Sequence, residues 1–376
     1  MGIIIHIQAK PYQNCVRYVS SEDLQNLISS LTNCSRLQKL ELIFQTSGLS
    51  KNCDQNSKSL QGLGKVLGQL NKISNLTLKM DSQSLDQNLM SLSLCIENFV
   101  NLTELNLICY NLYFDGEYHF LPFCSLLQNC KYLQTLNLGL YGISGKITLL
   151  EQVILKCPNI KNLILDLSYS SSFEGITQLC LSLSKQTQIS AFTLKLEDVS
   201  ESDICNFNIN ALFSDLSKWS SLRYLALNFS NNKVQDQDFS NLGSAITNCT
   251  TLELDLSSTD FDEENMIQLK NALENNCLLL TLSLKFKNVN SLGFSILATT
   301  LESIPHLSNL TLDVRCNDIS PLGVFNLCSN LSKCNKLFFI MLNLKYFIEE
   351  EEDYKKILAR IHKLKRLAQL EVIYQE

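Results

Sequence analysis

The sequence has neither an excess of basic residues nor an apolar stretch long enough to cross a bilayer. It carries 31 lysines and arginines against 37 acidic residues, giving a formal net charge of -6 and an isoelectric point near 5.4. Proteins that bind nucleic acid need a basic stripe to neutralise phosphates, so this balance argues against DNA or RNA. No run approaches the roughly 20 apolar residues that span a membrane. We therefore expect neither nucleic acid nor membrane as a partner.

Targeting, catalytic and metal-binding motifs are also missing. The apolar run near Met1 is too short for a signal-peptide core, so we expect a cytoplasmic protein. The four histidines include no HxxxH or HExxH pair, and the fifteen cysteines include no CxxC pair. Neither a Gly-x-Ser-x-Gly elbow nor a kinase signature set is present. The sequence therefore predicts no catalytic residues, no metal site, no cofactor and no enzymatic activity.

Leucine, in contrast, recurs in a phrase of the form LxxLxL, as in Leu102-Thr-Glu-Leu105-Asn-Leu107. The second apolar residue of each phrase, called the marker here, recurs with a mean step of 30 residues. Such a period indicates an internal repeat array that occupies nearly the whole chain. The predicted markers are Leu40, Leu76, Leu105, Leu136, Leu163, Phe192, Leu225, Leu254, Leu282, Leu310, Ile340 and Leu370.

Two periodicities alternate along each repeat. Apolar residues occur at every second position within a phrase, which predicts a strand with one buried face. Helical spacing follows between phrases, as in Phe261–Leu273 and Gly293–Leu301. Strands joined through helices must be parallel, and helices are wider than strands. The sequence thus predicts an α/β solenoid that curves, with about twelve parallel strands on its concave face and helices on its convex face.

The phrase, the period and the following helix resemble the leucine-rich repeat family, specifically its ribonuclease-inhibitor-like subclass. The stretch Thr251-Leu-Glu-Leu254-Asp-Leu256-Ser-Ser-Thr-Asp-Phe261 is among the closest matches. The resemblance covers residues 20–376 and implies a curved horseshoe that binds proteins. Residues 1–19 are predicted to form an N-terminal cap, with Ile3 to Ile7 as an additional strand.

Six cysteines stand at a recurring distance from a marker. Cys34, Cys130, Cys157 and Cys334 lie six residues before one, whereas Cys249 and Cys277 lie five before. Other repeats place large apolar residues in the same slot. We therefore expect these cysteines to act as buried hydrophobes rather than in disulfides or a metal site.

Positions one before, one after and three after each marker should face away from the core. Four of these positions carry a positive charge and seven a negative charge. A nucleic-acid backbone would instead require a continuous row of basic residues to neutralise its phosphates. These charged residues are Lys39, Lys79, Lys195 and Lys285, with Glu41, Glu104, Asp166, Glu253, Asp255, Asp313 and Glu371.

A few apolar residues at these outward positions are candidate binding anchors, because aromatic residues and methionine on an open sheet often contact partners. The alternative is that a helix, insertion or loop covers them, or that the strand register is off by one. The partner-binding candidates are Tyr224, Asn228, Phe339, Met341, Asn343, Ile108 and Ile373, with Ile43 and Ile164 at equivalent positions.

These features favour a non-catalytic protein-interaction scaffold, a subunit of a larger intracellular assembly. The family resemblance extends this expectation to a cytoskeletal or ciliary complex. The alternatives are a regulatory inhibitor that occludes an enzyme and the recognition subunit of a kinase or ligase. Because the last strand, through Tyr374, is not followed by a capping helix in this sequence, we also expect the C-terminal edge to dock on a partner or a second copy.

Overall fold

A computed structural model describes the chain in stretches separated by gaps. The described ranges are 2–8, 11–12, 15–16, 29–31, 36–45, 72–81, 101–110, 130–142, 148–170, 176–185, 188–199, 208–233, 239–259, 261–287, 289–315, 321–344 and 369–373, with the single residues 26, 34, 70, 127, 355 and 359. The chain divides into two compact units, residues 1–189 and 190–376.

The first unit contains a parallel sheet whose strands follow chain order, apart from a short antiparallel pair, β2 with β3. Its extra first strand is confirmed, because Ile3 of β1 pairs with the marker Leu40. The elements are β1 (Gly2–Gln8), β2 (Pro11–Tyr12), β3 (Cys15–Val16), β4 (Lys39–Gln45), β5 (Asn75–Asp81), β6 (Glu104–Tyr110), β7 (Thr135–Leu140), α1 (Thr148–Leu155), β8 (Asn162–Asp166) and α2 (Ile176–Leu183).

The second unit repeats this arrangement, with each described strand parallel to the next in sequence. The predicted helices at 261–273 and 293–301 are confirmed as α5 and α6, defined in the following list. The elements are β9 (Ala191–Lys195), α3 (Ile209–Leu216), β10 (Tyr224–Asn228), α4 (Leu242–Ile246), β11 (Thr251–Leu256), α5 (Glu263–Glu274), β12 (Thr281–Phe286), α6 (Ser291–Ser303), β13 (Asn309–Asp313), α7 (Pro321–Leu331), β14 (Phe339–Asn343) and β15 (Gln369–Ile373).

Alternating burial explains why the phrases become strands. In β6, Leu105 and Leu107 are buried, whereas the residues between them are half-buried. Within each unit, strands pack beside strands and helices pack beside the helices of the next repeat. The fold is therefore the predicted α/β leucine-rich repeat solenoid. Its assignment to the ribonuclease-inhibitor-like subclass stays a prediction, as does the curvature.

All twelve predicted markers lie in strands, but one has the wrong register. Leu225 pairs with Leu252, which pairs in turn with Leu282, so Leu252 and not Leu254 is the marker of β11. The error is two residues. Because side chains alternate with a period of two, a shift of two leaves every residue on its predicted face.

A tight turn precedes the strands and creates the slot six residues before the marker. In this turn the backbone N–H of the residue three positions before the marker donates to the carbonyl of the residue six positions before the marker. Examples are Leu133 to Cys130 (3.1 Å) and Leu222 to Trp219 (3.1 Å). With the corrected register, the slot before β11 holds Ile246, whose carbonyl accepts from Cys249 at 2.8 Å. Cys249 is thus buried, but three residues before its marker rather than in the slot.

Burial is confirmed for Cys130, Cys157 and Cys249, while Cys34 and Cys334 are partly buried. Burial raises the pKa of Cys130 and Cys249 to about 12 and that of Cys157 and Cys334 to about 11, which keeps these thiols protonated and unreactive. The prediction for Cys277 is wrong, because its side chain is exposed.

Asn276 occupies the slot that Cys277 was expected to fill. Its amide nitrogen donates to the carbonyls of Ile246 (2.6 Å) and Cys249 (3.3 Å), and its oxygen accepts from the amide of Leu278 (2.7 Å). The side chain is 2% exposed. A buried amide that satisfies three backbone groups therefore links two successive repeats.

Asn276→Ala should destabilise the chain, because it removes three hydrogen bonds between a buried side chain and the backbone of two repeats. We expect the free energy of unfolding in urea to fall by about 1–3 kcal/mol. Asn275→Ala is the matched control: its exposed amide donates only to Asn271 within the same helix end, so the change should stay within about 0.5 kcal/mol. Equal losses for the two variants would contradict the linking role.

Candidate functional site

The open face is defined here as the side chains one before, one after and three after each marker. The half-buried state of these positions in most strands, between fully buried markers, confirms their predicted orientation. The pairing of neighbouring strands aligns them in three rows. In the second unit the first row is Ala191, Tyr224, Thr251, Thr281, Asn309, Phe339 and Gln369; the second is Thr193, Ala226, Glu253, Ser283, Thr311, Met341 and Glu371; the third is Lys195, Asn228, Asp255, Lys285, Asp313, Asn343 and Ile373.

Tyr224 lies in the first of these rows and is tied to the strands on both sides of β10. Its hydroxyl interacts with the side chains of Glu253 on β11 and Thr193 on β9. Burial, together with the negative charge of Glu253, raises the pKa of Tyr224 to about 12. The ring is therefore half-buried and in contact with both neighbouring strands.

Side chains of the third row accept hydrogen bonds in a turn that recurs at the ends of the strands. Asn228 Oδ1 accepts from the amide of Ser230 at 2.8 Å, and Asp255 Oδ1 accepts from the amide of Ser257 at 3.2 Å. Asp166 and Asp313 accept from the amide two residues on in the same way. Short carboxylate and amide side chains favour such turns. The candidate Asn228 thus has a local structural task in addition to its place on the open face.

Charged side chains of the open face form ion pairs, either with a neighbouring strand or with the turn that follows the strand. Lys285 contacts Asp255 at 3.1 Å, and Arg315 binds Asp313, whose Oδ2 also accepts from Asn343 at 3.3 Å. In the first unit Lys79 contacts Glu41 at 2.8 Å. These pairs are partly exposed and each contributes about 0–1 kcal/mol. The face is consequently mixed in charge, without a basic track.

Phe339 and Met341 stand in neighbouring rows of β14, both half-buried, and Ile373 on β15 is 37% exposed. Two exposed apolar residues that were not among the sequence candidates lie before β14 and β12. Phe338 is 56% exposed and Leu280 is 45% exposed, and both lie two residues before their markers. The carbonyl of Leu280 accepts from Ser308, and the carbonyl of Ser308 accepts from Phe338, so these positions are aligned across β12, β13 and β14. We call Leu280, Phe338, Phe339 and Met341 the apolar edge.

Ile108 lies in the third row of the first unit and borders Gly139 on β7. A Cβ at Gly139 would lie 3.3 Å from Ile108 Cγ2 and 3.1 Å from Tyr141 Cε2. Because glycine has no Cβ, the side chains of Ile108 and Tyr141 can both pack closely against the backbone of residue 139. Ile43 and Ile164 are half-buried at their predicted outward positions.

Three tyrosines cluster where β6, β7 and β8 end, and the sequence analysis missed them. The rings of Tyr110 and Tyr141 stack at 4.7 Å between centroids with an interplanar angle of 12°. The hydroxyl of Tyr141 donates to Asp166 Oδ2 at 2.9 Å. Tyr169 lies in the turn three residues after Asp166, the last residue of β8, and interacts electrostatically with Tyr141. We call Tyr110, Tyr141, Tyr169 and Asp166 the tyrosine cluster. The available signal was that Tyr110 and Tyr141 both lie five residues after a marker.

Within the described part of the chain, no group of three or more His, Cys, Asp and Glu side chains is placed to hold a metal ion. No helix among the described residues is both long and apolar enough to span a membrane. The chemistry of the open face is thus that of tyrosine rings, short amides, hydroxyls and paired charges.

Tyr224 should make stability depend on pH at alkaline values. Because its folded pKa lies above its ordinary value of 10, the unfolded chain loses this proton first as the pH rises from 10 to 12. The stability that wild type has relative to Tyr224→Phe should therefore decrease over that window. Urea unfolding of both proteins at pH 8 and pH 11 measures this difference. A difference that is the same at both pH values would contradict the Tyr224–Glu253 contact.

Comparisons with known proteins reveal only weak similarity. No protein-family model matches the sequence, and no curated protein matches it significantly. Among solved structures, actin-binding site 2 of leiomodin-1 matches with 11% identity and a TM-score of 0.30, over 50% of this chain and 88% of that one. The tropomodulin C-terminal domain from Caenorhabditis elegans matches with 12% identity and a TM-score of 0.32, over 42% of this chain and 93% of that one. These scores are too low to indicate a partner for this chain.

Proposed function

We propose that this chain is a non-catalytic protein-binding scaffold that works as a subunit of a larger intracellular assembly. Its binding surface is the open face, with the apolar edge of the second unit as the main contact. The cytoskeletal or ciliary setting expected from the family resemblance, and a docking role for the C-terminal edge, stay predictions.

The observation that carries the proposal is the exposure of large apolar side chains beside an otherwise polar sheet. Phe338 and Leu280 are aligned two strands apart, which corresponds to about 10 Å. Phe339, which follows Phe338 in the chain, and Met341 are half-buried side chains on β14. Aromatic residues and methionine are enriched in protein interfaces, where buried anchors contribute most of the binding energy.

The surroundings of the apolar edge suit a protein partner better than a polyanion. Asp255 and Asp313 lie in the third row of the neighbouring strands β11 and β13, each paired with a cation. A polar and partly charged border around an apolar centre is the usual anatomy of a protein interface. Phosphates would instead require unopposed basic residues.

Phe338→Ser tests this proposal. The substitution removes an exposed ring, so we expect folding to be unchanged and the recovery of a specific co-purifying protein to fall at least about tenfold, as for a binding hot spot. Leu292→Ser is the matched control, because Leu292 is 53% exposed but lies on α6. Quantitative mass spectrometry of proteins captured by the tagged wild type and both variants gives the comparison.

Loss of the same protein with Phe338→Ser and not with Leu292→Ser would support the apolar edge as the contact. Equal loss with both variants, or retention with Phe338→Ser, would contradict it. Circular dichroism and a urea unfolding curve for each variant distinguish lost binding from lost structure.

A further inference from the structure

Tyr169 has an unusual backbone conformation for its residue type. The residue six after the marker has a positive φ in five successive repeats: Gly142 (72°), Tyr169 (61°), Asp198 (49°), Asn231 (59°) and Ser258 (56°). Glycine, asparagine and aspartate tolerate this left-handed region, whereas a bulky side chain is strained there. Tyrosine is the only large residue among the five.

Burial does not compensate for this strain, because Tyr169 is 52% exposed. Tyr110, which stacks on Tyr141, is 40% exposed. A bulky residue kept in a strained conformation with its side chain exposed points to a role outside folding. The cluster that contains it therefore has the character of a contact surface.

The rest of the cluster is held in place from below. Asp166 is buried, and its two oxygens accept from the Tyr141 hydroxyl at 2.9 Å and the Ser168 hydroxyl at 2.8 Å. The amide of Gly142 donates to the carbonyl of Ser168 at 3.0 Å, which joins the turn after β7 to the turn that carries Tyr169. The rings are thus positioned before any ligand arrives, which lowers the entropic cost of binding.

The electrostatics of the cluster select a positive ligand. The face of an aromatic ring is electron-rich, and it attracts ammonium and guanidinium groups within about 6 Å. The carboxylate of Asp166, bound to the Tyr141 hydroxyl, adds a negative charge at the edge of the ring. Phosphate-bearing ligands would be repelled by that charge, and a neutral ring or sugar would gain nothing from it.

We propose that the tyrosine cluster of the first unit binds an arginine or lysine side chain presented by a protein partner. The cation lies over the exposed tyrosine faces, and the buried carboxylate of Asp166, bound to the Tyr141 hydroxyl, supplies the opposite charge without direct contact. This inference rests on the proposed protein-binding role and names a second contact surface for it, one that uses no residue of the apolar edge.

Arginine binding to the full chain can be measured by saturation-transfer difference NMR with acetyl-Gly-Arg-Gly-amide. The citrulline analogue is the neutral probe of the same shape, and adenosine monophosphate is the anionic aromatic probe. Saturation of the arginine side-chain protons should exceed that of citrulline at least about fivefold, in line with a cation–π contact reinforced by a carboxylate. Added salt should reduce the difference.

Three variants test the site, two of which use a residue type that the chain itself places at the equivalent position of another repeat. Tyr169→Asn, as at Asn231, should remove the binding while leaving the urea midpoint no lower. Asp166→Asn, as at Asn228, keeps an acceptor for the turn but removes the charge, so it should reduce the preference for arginine over citrulline. Tyr169→Phe keeps the ring and should bind as wild type does.

Tyr132→Asn is the control at a distance, because Tyr132 is 62% exposed but precedes β7 instead of following it. It should bind arginine as wild type does. Equal signals from arginine and citrulline, stronger binding of adenosine monophosphate, or full binding by Tyr169→Asn would each overturn the proposal. Phe338→Ser should leave this binding unchanged, so failure of the apolar edge and failure of the tyrosine cluster are distinguishable.

Discussion

The pairing of each buried marker with the marker of the next strand is the constraint on which the structure depends. Leu225 meets Leu252, which meets Leu282, and the same alignment continues from strand to strand within each unit. A single repeat has too little apolar surface to fold alone, so its stability comes from its neighbours. Once the markers are aligned, the period-two alternation directs every intervening side chain to the open face.

The rows of the open face follow from that alignment and give the surface its chemistry. Polar residues in the third row, such as Asn228 and Asp255, accept a hydrogen bond from the backbone N–H two residues later, in the turn that ends the strand. They are therefore constrained by the fold and are less available for specialisation. The first row and the positions before it carry no such turn, and there the chain places Tyr224, Phe338 and Phe339. We propose that these residues determine which partner binds.

Sequence periodicity was sufficient to predict the fold, because burial at alternate positions determines which residues form strands. It placed the candidates Tyr224, Phe339 and Met341 on the correct face. It misplaced the marker of β11, since Leu252, Leu254 and Leu256 alternate and fit two registers equally well. The length of the preceding turn decides between those registers, as the hydrogen bond from Cys249 to Ile246 demonstrates.

Other features depend on interactions between repeats that no single phrase contains. Cys277 was expected in a buried slot, but Asn276 fills it by bonding to the carbonyls of Ile246 and Cys249 in the preceding repeat. The tyrosine cluster likewise requires a glycine at position 139 to admit Tyr141 and a positive φ at Tyr169. Backbone conformation and the absence of a side chain leave little trace in hydrophobic periodicity.

The central claim, that the open face is the binding surface, is tested most directly by site-specific photo-crosslinking in the native cell. A benzophenone side chain at Ser283, in the second row of β12, should cross-link to a partner protein. The same group at Ser295, exposed on α6, should give no such product. Cross-links from position 295 and none from position 283 would contradict the account.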